Sequence, residues 1–164
     1  MSRIVPLLLL FATVAGCKFP LAAAYRTHSL LVTARDGAGE TLARVQRAEM
    51  VECEAQHRAP ATSWKADLKK CYQRVREPVA IWVRHVRPAI TAALSALWFA
   101  LETYYVVDKQ DTPAAKKARA IACAKLQAAE TTLKQYAGQL GKLGTLKDTI
   151  IGGVAAGKAL VCDG

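Results

Sequence analysis

Aromatic side chains are scarce in this 164-residue chain, at 7%, and histidine occurs only three times. So small a supply of imidazole restricts both metal binding and general acid–base chemistry. After the first fifteen residues, no uncharged apolar run reaches the roughly twenty residues a membrane-spanning helix needs. Strand signals are missing as well. There is no sustained alternation of apolar and polar residues and no Asn-Gly turn; Asp36-Gly37 is flanked at helical spacing by Ala34, Ala38, Leu42 and Val45. The chain has no His-Glu-x-x-His, no Gly-x-Ser-x-Gly, no phosphate loop and no dinucleotide fingerprint. His28, His57 and His85 stand far apart and near no nucleophile–base set. Glu49, Glu52 and Glu54 lie in a charge-balanced segment, where ion pairing along a helix accounts for them. No catalytic residue, metal site or cofactor is assigned, and a hydrolase is the most remote class.

What is present fits one globular domain with a short appendage: 52% apolar residues, 22% charged, and a formal charge of +10. The body reads as helices throughout. A first helix is expected over about 27–57, weakened at Gly37 and Gly39, with five Arg and five Asp or Glu between Tyr25 and Arg58. A second starts near Trp64 after Thr62 or Ser63 as N-cap, with Pro78 and Pro88 dividing or kinking it. Thr112-Pro113 marks the start of a third, which ends at Gly141 or Gly144. A fourth covers about 146–161. Val79, Trp82, Val86, Ile90, Leu94, Leu97, Leu101 and Tyr104 follow spacings of three and four. So do Ala115, Ala118, Ala122, Leu126, Ala129, Leu133, Tyr136, Leu140 and Leu143. Both are seam patterns, and the expected fold is an all-α antiparallel bundle of about four helices. Gly153 and Gly157 form a GxxxG match that permits close approach to the Ala-rich third helix.

The first residues point to a compartment. A positive start is followed by a twelve-residue run at 4–15, apolar except Thr13, the length of a secretory signal core and too short for a permanent span. It closes on Val14-Ala15-Gly16-Cys17. This resembles the lipobox of bacterial lipoprotein precursors: an aliphatic residue, two small residues, and the cysteine that is acylated. The resemblance covers about a tenth of the chain. It implies a signal peptide at 1–16, lipidation of Cys17, an acylated anchor and short tether at 17–26, and a helical domain at 27–164. A diacylglyceryl group with a further acyl chain supplies the two signals stable anchoring requires. Lys18, in place of aspartate, implies the outer membrane facing the periplasm if the host is Gram-negative. Cutting after Ala24 at an A-x-A site ranks lower, because Cys17 and Lys18 interrupt the apolar stretch. The body loosely resembles uncharacterised small all-helical lipoproteins that share Tyr-x-Thr near the anchor, here Tyr25-Arg26-Thr27, and paired cysteines around an early turn.

Four cysteines remain, an even number that reads as disulfides in an exported chain. In an antiparallel helix pair, residues equidistant from the turn lie at one height. Cys53 and Cys71 are centred on position 62, in the turn sequence at 57–63. Cys123 and Cys162 are centred between Lys142 and Leu143, inside Gly141-Lys142-Leu143-Gly144. The other pairings centre on Leu97, on Pro88 or about six residues from a turn. The expected bonds are therefore Cys53–Cys71 and Cys123–Cys162. The rival reading is zinc, with Cys53, His57 and Cys71 as ligands, but no fourth ligand is evident.

Charge is the remaining functional signal. Lys65, Lys69, Lys70, Arg74, Arg76, Arg84 and Arg87 outnumber the acids of 64–87, giving a local +5. Lys109, Lys116, Lys117, Arg119 and Lys125 give 109–125 a further +4. The first group is the candidate contact with an anionic surface, lipid or envelope polymer, or with an envelope protein; a plain solvated surface explains it equally well. Nucleic acid is the poorest fit, since no reader motif is present. The expectation is a non-catalytic, membrane-anchored envelope lipoprotein. The alternative is a membrane-active lysis or exclusion effector, phage-derived, acting through 88–107 with Trp98. A bundle helix is favoured for 88–107, because Thr91, Ser95 and Glu102 form a polar stripe.

Overall fold

Thirty-six residues of uninterrupted helix, Leu21–Gln56 (α1), open the computed structural model, which describes residues 20–57, 64–106 and 112–162. The leader, Cys17, the Thr62 and Ser63 caps, Val107 and Lys109 lie outside the described residues. At about 1.5 Å per residue, α1 is roughly 54 Å long. It begins six residues before the boundary expected at 27, and Ala24 is fully buried. Residues 21–26 therefore belong to the bundle and not to a tether: alanine's small side chain lets the first turns sit close against their neighbours. Gly37 and Gly39 do not interrupt α1. Trp82 packs over Gly39, and Leu146 approaches Gly37, so tertiary contacts offset the weak helix preference of glycine.

The second rod comprises α2 (Trp64–Ile81), a π-helical turn at Trp82–Val86, and α3 (Arg87–Val106). Pro78 sits inside α2 without ending it. Pro88 has no N–H to give the carbonyl of Arg84, and its ring crowds that oxygen. The wider turn just before it, in which the Arg87 N–H bonds to the carbonyl of Trp82, opens the ladder at that point. Of the division or kink expected at the prolines, no division occurs: Pro78 leaves α2 continuous, and a local rewinding precedes Pro88.

Thr112 caps α4 (Pro113–Tyr136), its hydroxyl accepting from the Ala115 N–H at 3.2 Å with Pro113 in the first turn. Regular helix stops at Tyr136, short of the expected glycines. Leu140 and a 3₁₀ turn, Gly141–Leu143, bury the last two seam leucines before Gly144 turns the chain at φ 52. There the left-handed conformation requires glycine. The last helix, α5, spans Thr145–Cys162. No strand occurs among the described residues.

The topology is up-down-up-down. Around the bundle α1 is followed by α3, α4 and α5, and α5 closes back on α1. Antiparallel register is fixed by pairs along each seam: Arg35 reaches Thr91 while His28 meets Trp98, and Glu130 meets Lys158 while Cys123 meets Cys162. The core holds Trp82, Val86, Ile90, Leu94, Leu97, Leu101 and Tyr104 from the second rod. Ala115, Ala118, Ala122, Leu126, Ala129 and Leu133 face them from α4. The buried alanines allow the close approach that short-loop bundles use. Both expected disulfides are present, with Cα–Cα distances of 5.9 Å for Cys53–Cys71 and 5.2 Å for Cys123–Cys162.

Beyond about residue 50 of α1 the bundle has ended. Only Cys53 is buried in this part of α1, and Val75 is the first buried residue of α2. Here α2 packs chiefly on α1, forming a two-helix arm with Cys53–Cys71 across it. Lys142 pairs with Glu49 at its base, and the Tyr72 hydroxyl donates to Glu54 at 2.6 Å nearer the tip.

The glycines of α5 seat against two helices, not only the one expected. A Cβ added at Gly153 would lie 2.7 Å from Leu31 Cδ2 of α1, whereas one at Gly157 would lie 3.2 Å from Leu126 Cδ2 of α4. Leu31 is itself buried and cannot swing away freely. Gly152, one residue before, has nothing within 4 Å. Gly153→Ala is expected to destabilise by about 1–3 kcal/mol through overpacking. Gly152→Ala is expected to stabilise by about 1 kcal/mol through helix propensity. Denaturant midpoints of the two variants should move in opposite directions; equal shifts would refute this seating of α5.

Glu130 of α4 bridges Lys134 on its own helix and Lys158 on α5, each at 2.7 Å. Hydrogen bonds from Lys134 and then Lys158 hold its carboxyl down at about 2, from an ordinary 4.5. A folded-state pKa below the unfolded one favours folding above pH 4.5 and loses that contribution as pH falls toward 2. Glu130→Gln should lower stability at neutral pH and flatten its decline across that acid window, read from urea midpoints at both ends. An unchanged acid slope would mean the two lysines are held by solvent instead.

Candidate functional site

Folding separates the seven basic residues that lie together in sequence. On the arm, Trp64, Leu68 and Tyr72 recur every four residues along α2, with Lys65, Lys69, Gln73 and Arg76 beside them. Together they line an open groove of about 460 Å³ with a largely apolar floor. The Lys65 ammonium lies 5.6 Å from the Trp64 ring centre and the Arg76 guanidinium 5.8 Å from that of Tyr72. Arg74 lines a different groove, together with Cys53, Cys71, Glu49 and Glu52. Lys70 is exposed. Arg84 and Arg87 are exposed on the π turn and at the start of α3, within the bundle, and the Arg87 charge is felt by Asp36. Lys65, Lys69 and Arg76 thus form one mixed cationic and aromatic stripe at the far tip, and the other four do not join it. Summing charge along the segment misses the aromatic component, although its four-residue period is plain in the sequence.

The opposite end of the bundle gathers the exposed aromatics. Trp98 of α3 meets Tyr25 of α1 edge-on at 5.8 Å and lies 5.2 Å from His28. Tyr105, seven residues after Trp98, shares its face two turns on and is 63% exposed. Phe99 is also exposed, about 100° around the helix. Tyr104, a member of the expected seam, is in the core and takes no part in this exposed set. Burial and then the nearby Arg35 charge push the His28 pKa down, favouring its neutral form against Trp98.

The histidines do not converge. His28 lies by Trp98, His85 stacks on Tyr136 at 5.0 Å, and His57 ends α1. Cys53 and Cys71 are bonded to each other, which occupies the two sulfurs the zinc reading needed. Among the described residues no group of three or more His, Cys, Asp or Glu is placed to hold a metal ion. No helix among them is long and apolar enough to cross a membrane. The site candidates are therefore two surfaces at opposite ends of a rod, one cationic and grooved, one aromatic. No protein-family model matches this chain, and no curated protein or solved structure does so either.

Proposed function

We propose that the chain is a membrane-anchored envelope lipoprotein with a non-catalytic, structural or binding role. The observation that carries this reading is the use of the cysteines. Two disulfides take four of the five, and the fifth, Cys17, closes the lipobox-like Val14-Ala15-Gly16-Cys17. Disulfides suit an oxidising compartment, and an acylated cysteine suits an anchor. From Cys17 to the start of α1 is four residues, at most about 14 Å of extended chain. An anchored molecule would therefore hold the aromatic end near the bilayer and project the cationic arm away from it, toward an anionic envelope polymer or an envelope protein. If the host is Gram-negative, Lys18 favours the outer membrane.

Intact-mass spectrometry of membrane-extracted protein, with and without reductant, tests the reading. The expected species begins at Cys17, carries acyl chains, and gains the mass of two hydrogens per disulfide for two disulfides on reduction. Native protein that begins at Met1 with every thiol reduced would overturn it. Exposed Trp98, Phe99 and Tyr105 favour the second reading, a membrane-active effector. That reading requires dye leakage from vesicles, whereas an anchored binding module leaves them sealed.

A further inference from the structure

We infer that the α1–α3 face carrying Tyr25, Trp98 and Tyr105 rests in the interfacial layer of the same bilayer that holds the anchor, so that the bundle is docked and not merely tethered. The inference rests on the anchoring reading above and adds an orientation to it.

Three observations carry it. Reach comes first. Tyr25 and His28 lie four and seven residues into α1, or about 6–10 Å along its axis, and both touch the Trp98 ring. Tyr105 lies a further 10 Å or so along α3 toward the anchor end. A span of at most about 14 Å between Cys17 and Leu21 keeps all three within range of the membrane surface.

Chemistry comes second. Tryptophan and tyrosine combine an apolar ring with a polar edge, and this makes them the residues that settle at headgroup depth. Trp98 is 41% exposed and Tyr105 63%, while Leu97, Leu101 and Tyr104 beside them are buried. Two such rings one above the other on the same helix face are not needed by the bundle.

Charge sets the depth. Glu102 is exposed on the same face, between Trp98 and Tyr105. Its charge is tolerated among headgroups and costly in hydrocarbon, so contact stops at the interface. Arg26 and Lys117 are exposed at this end and supply cations for lipid phosphates. The basic stripe of α2 begins beyond the level of Cys53, more than about 40 Å from this end, so it cannot share the contact.

The three tryptophans make the test clean: Trp82 is buried in mid-bundle and Trp64 lies on the arm. The acylated protein is reconstituted into phosphatidylcholine–phosphatidylglycerol vesicles with and without brominated acyl chains, and tryptophan emission is compared. Bromine should remove emission approaching Trp98's one-third share of three tryptophans. Trp98→Phe should abolish that loss, and Trp64→Phe should retain it, with far-UV dichroism verifying that both variants fold. No loss, or a loss that survives Trp98→Phe, overturns the inference. The mass of the same sample separates the two readings. An acylated protein without quenching refutes docking alone, whereas a protein without acyl chains refutes anchoring and docking together.

Discussion

Replacing Cys123 and Cys162 together by alanine is expected to lower the melting temperature by about 8–16 °C. The bond closes a 39-residue separation, and the chain-entropy relation assigns such a loop about 4 kcal/mol. In a domain of this size each kcal/mol moves the midpoint by about 2–4 °C. The effect should be global, because the bond joins α4 and α5, both of which line the core. Next to it lie Val161 and Ala122, buried but small, so little apolar area remains to hold the end of α5 once the bond is gone. Calorimetry of the double variant checks this. A shift of a degree or two would mean that the α4–α5 seam, with Gly157 against Leu126 and Glu130 on Lys158, holds without it.

Removing the other bond should give a different result. Cys53 and Cys71 are 18 residues apart, for which the same relation gives about 3 kcal/mol. Here the stabilisation acts where no third helix covers the pair. Cys53→Ala with Cys71→Ala is therefore expected to open the arm while the bundle melts nearly as before. Amides of 51–56 and 65–74 should exchange about 100-fold faster, the population change that 3 kcal/mol implies. Tyr72 on Glu54 and Lys142 on Glu49 would remain, but exposed ion pairs and hydrogen bonds of this kind contribute little against helix separation. If bundle amides accelerate equally, the arm is part of the cooperative unit and not an appendage to it.

The cysteine pairing was legible because helices are rigid and have a fixed rise: once two turns are placed, the heights of four sulfurs follow. Seam residues were legible for a similar reason, since burial in a bundle repeats with the helical period from Trp82 to Tyr104 and from Ala115 to Leu133. What escaped depended on direction rather than position. Tyr105 follows the seam residue Tyr104 directly, and a rotation of about 100° carries it out of the core onto the solvent face it shares with Trp98. Lys69 and Lys70 separate in the same way, so a local net charge said little about which cations share a surface. Ala22, Ala23 and Ala24 fit a cleavage region as readily as a helix. Only the packing of Ala24 against other helices places the start of α1 at Leu21. The partner of Gly153 was hidden because a small residue records that something comes close and not what does.

The even number of passes has a practical geometric result. Pro20 and Cys162, the outermost described residues, finish at the same pole of the rod, while His57 and Trp64 stand at the other, about 50 Å off. If Cys17 is anchored as proposed, a fluorescent fusion added after α5 would be crowded against the bilayer. An epitope spliced between His57 and Trp64 would stand at the opposite pole, about 50 Å from such a fusion.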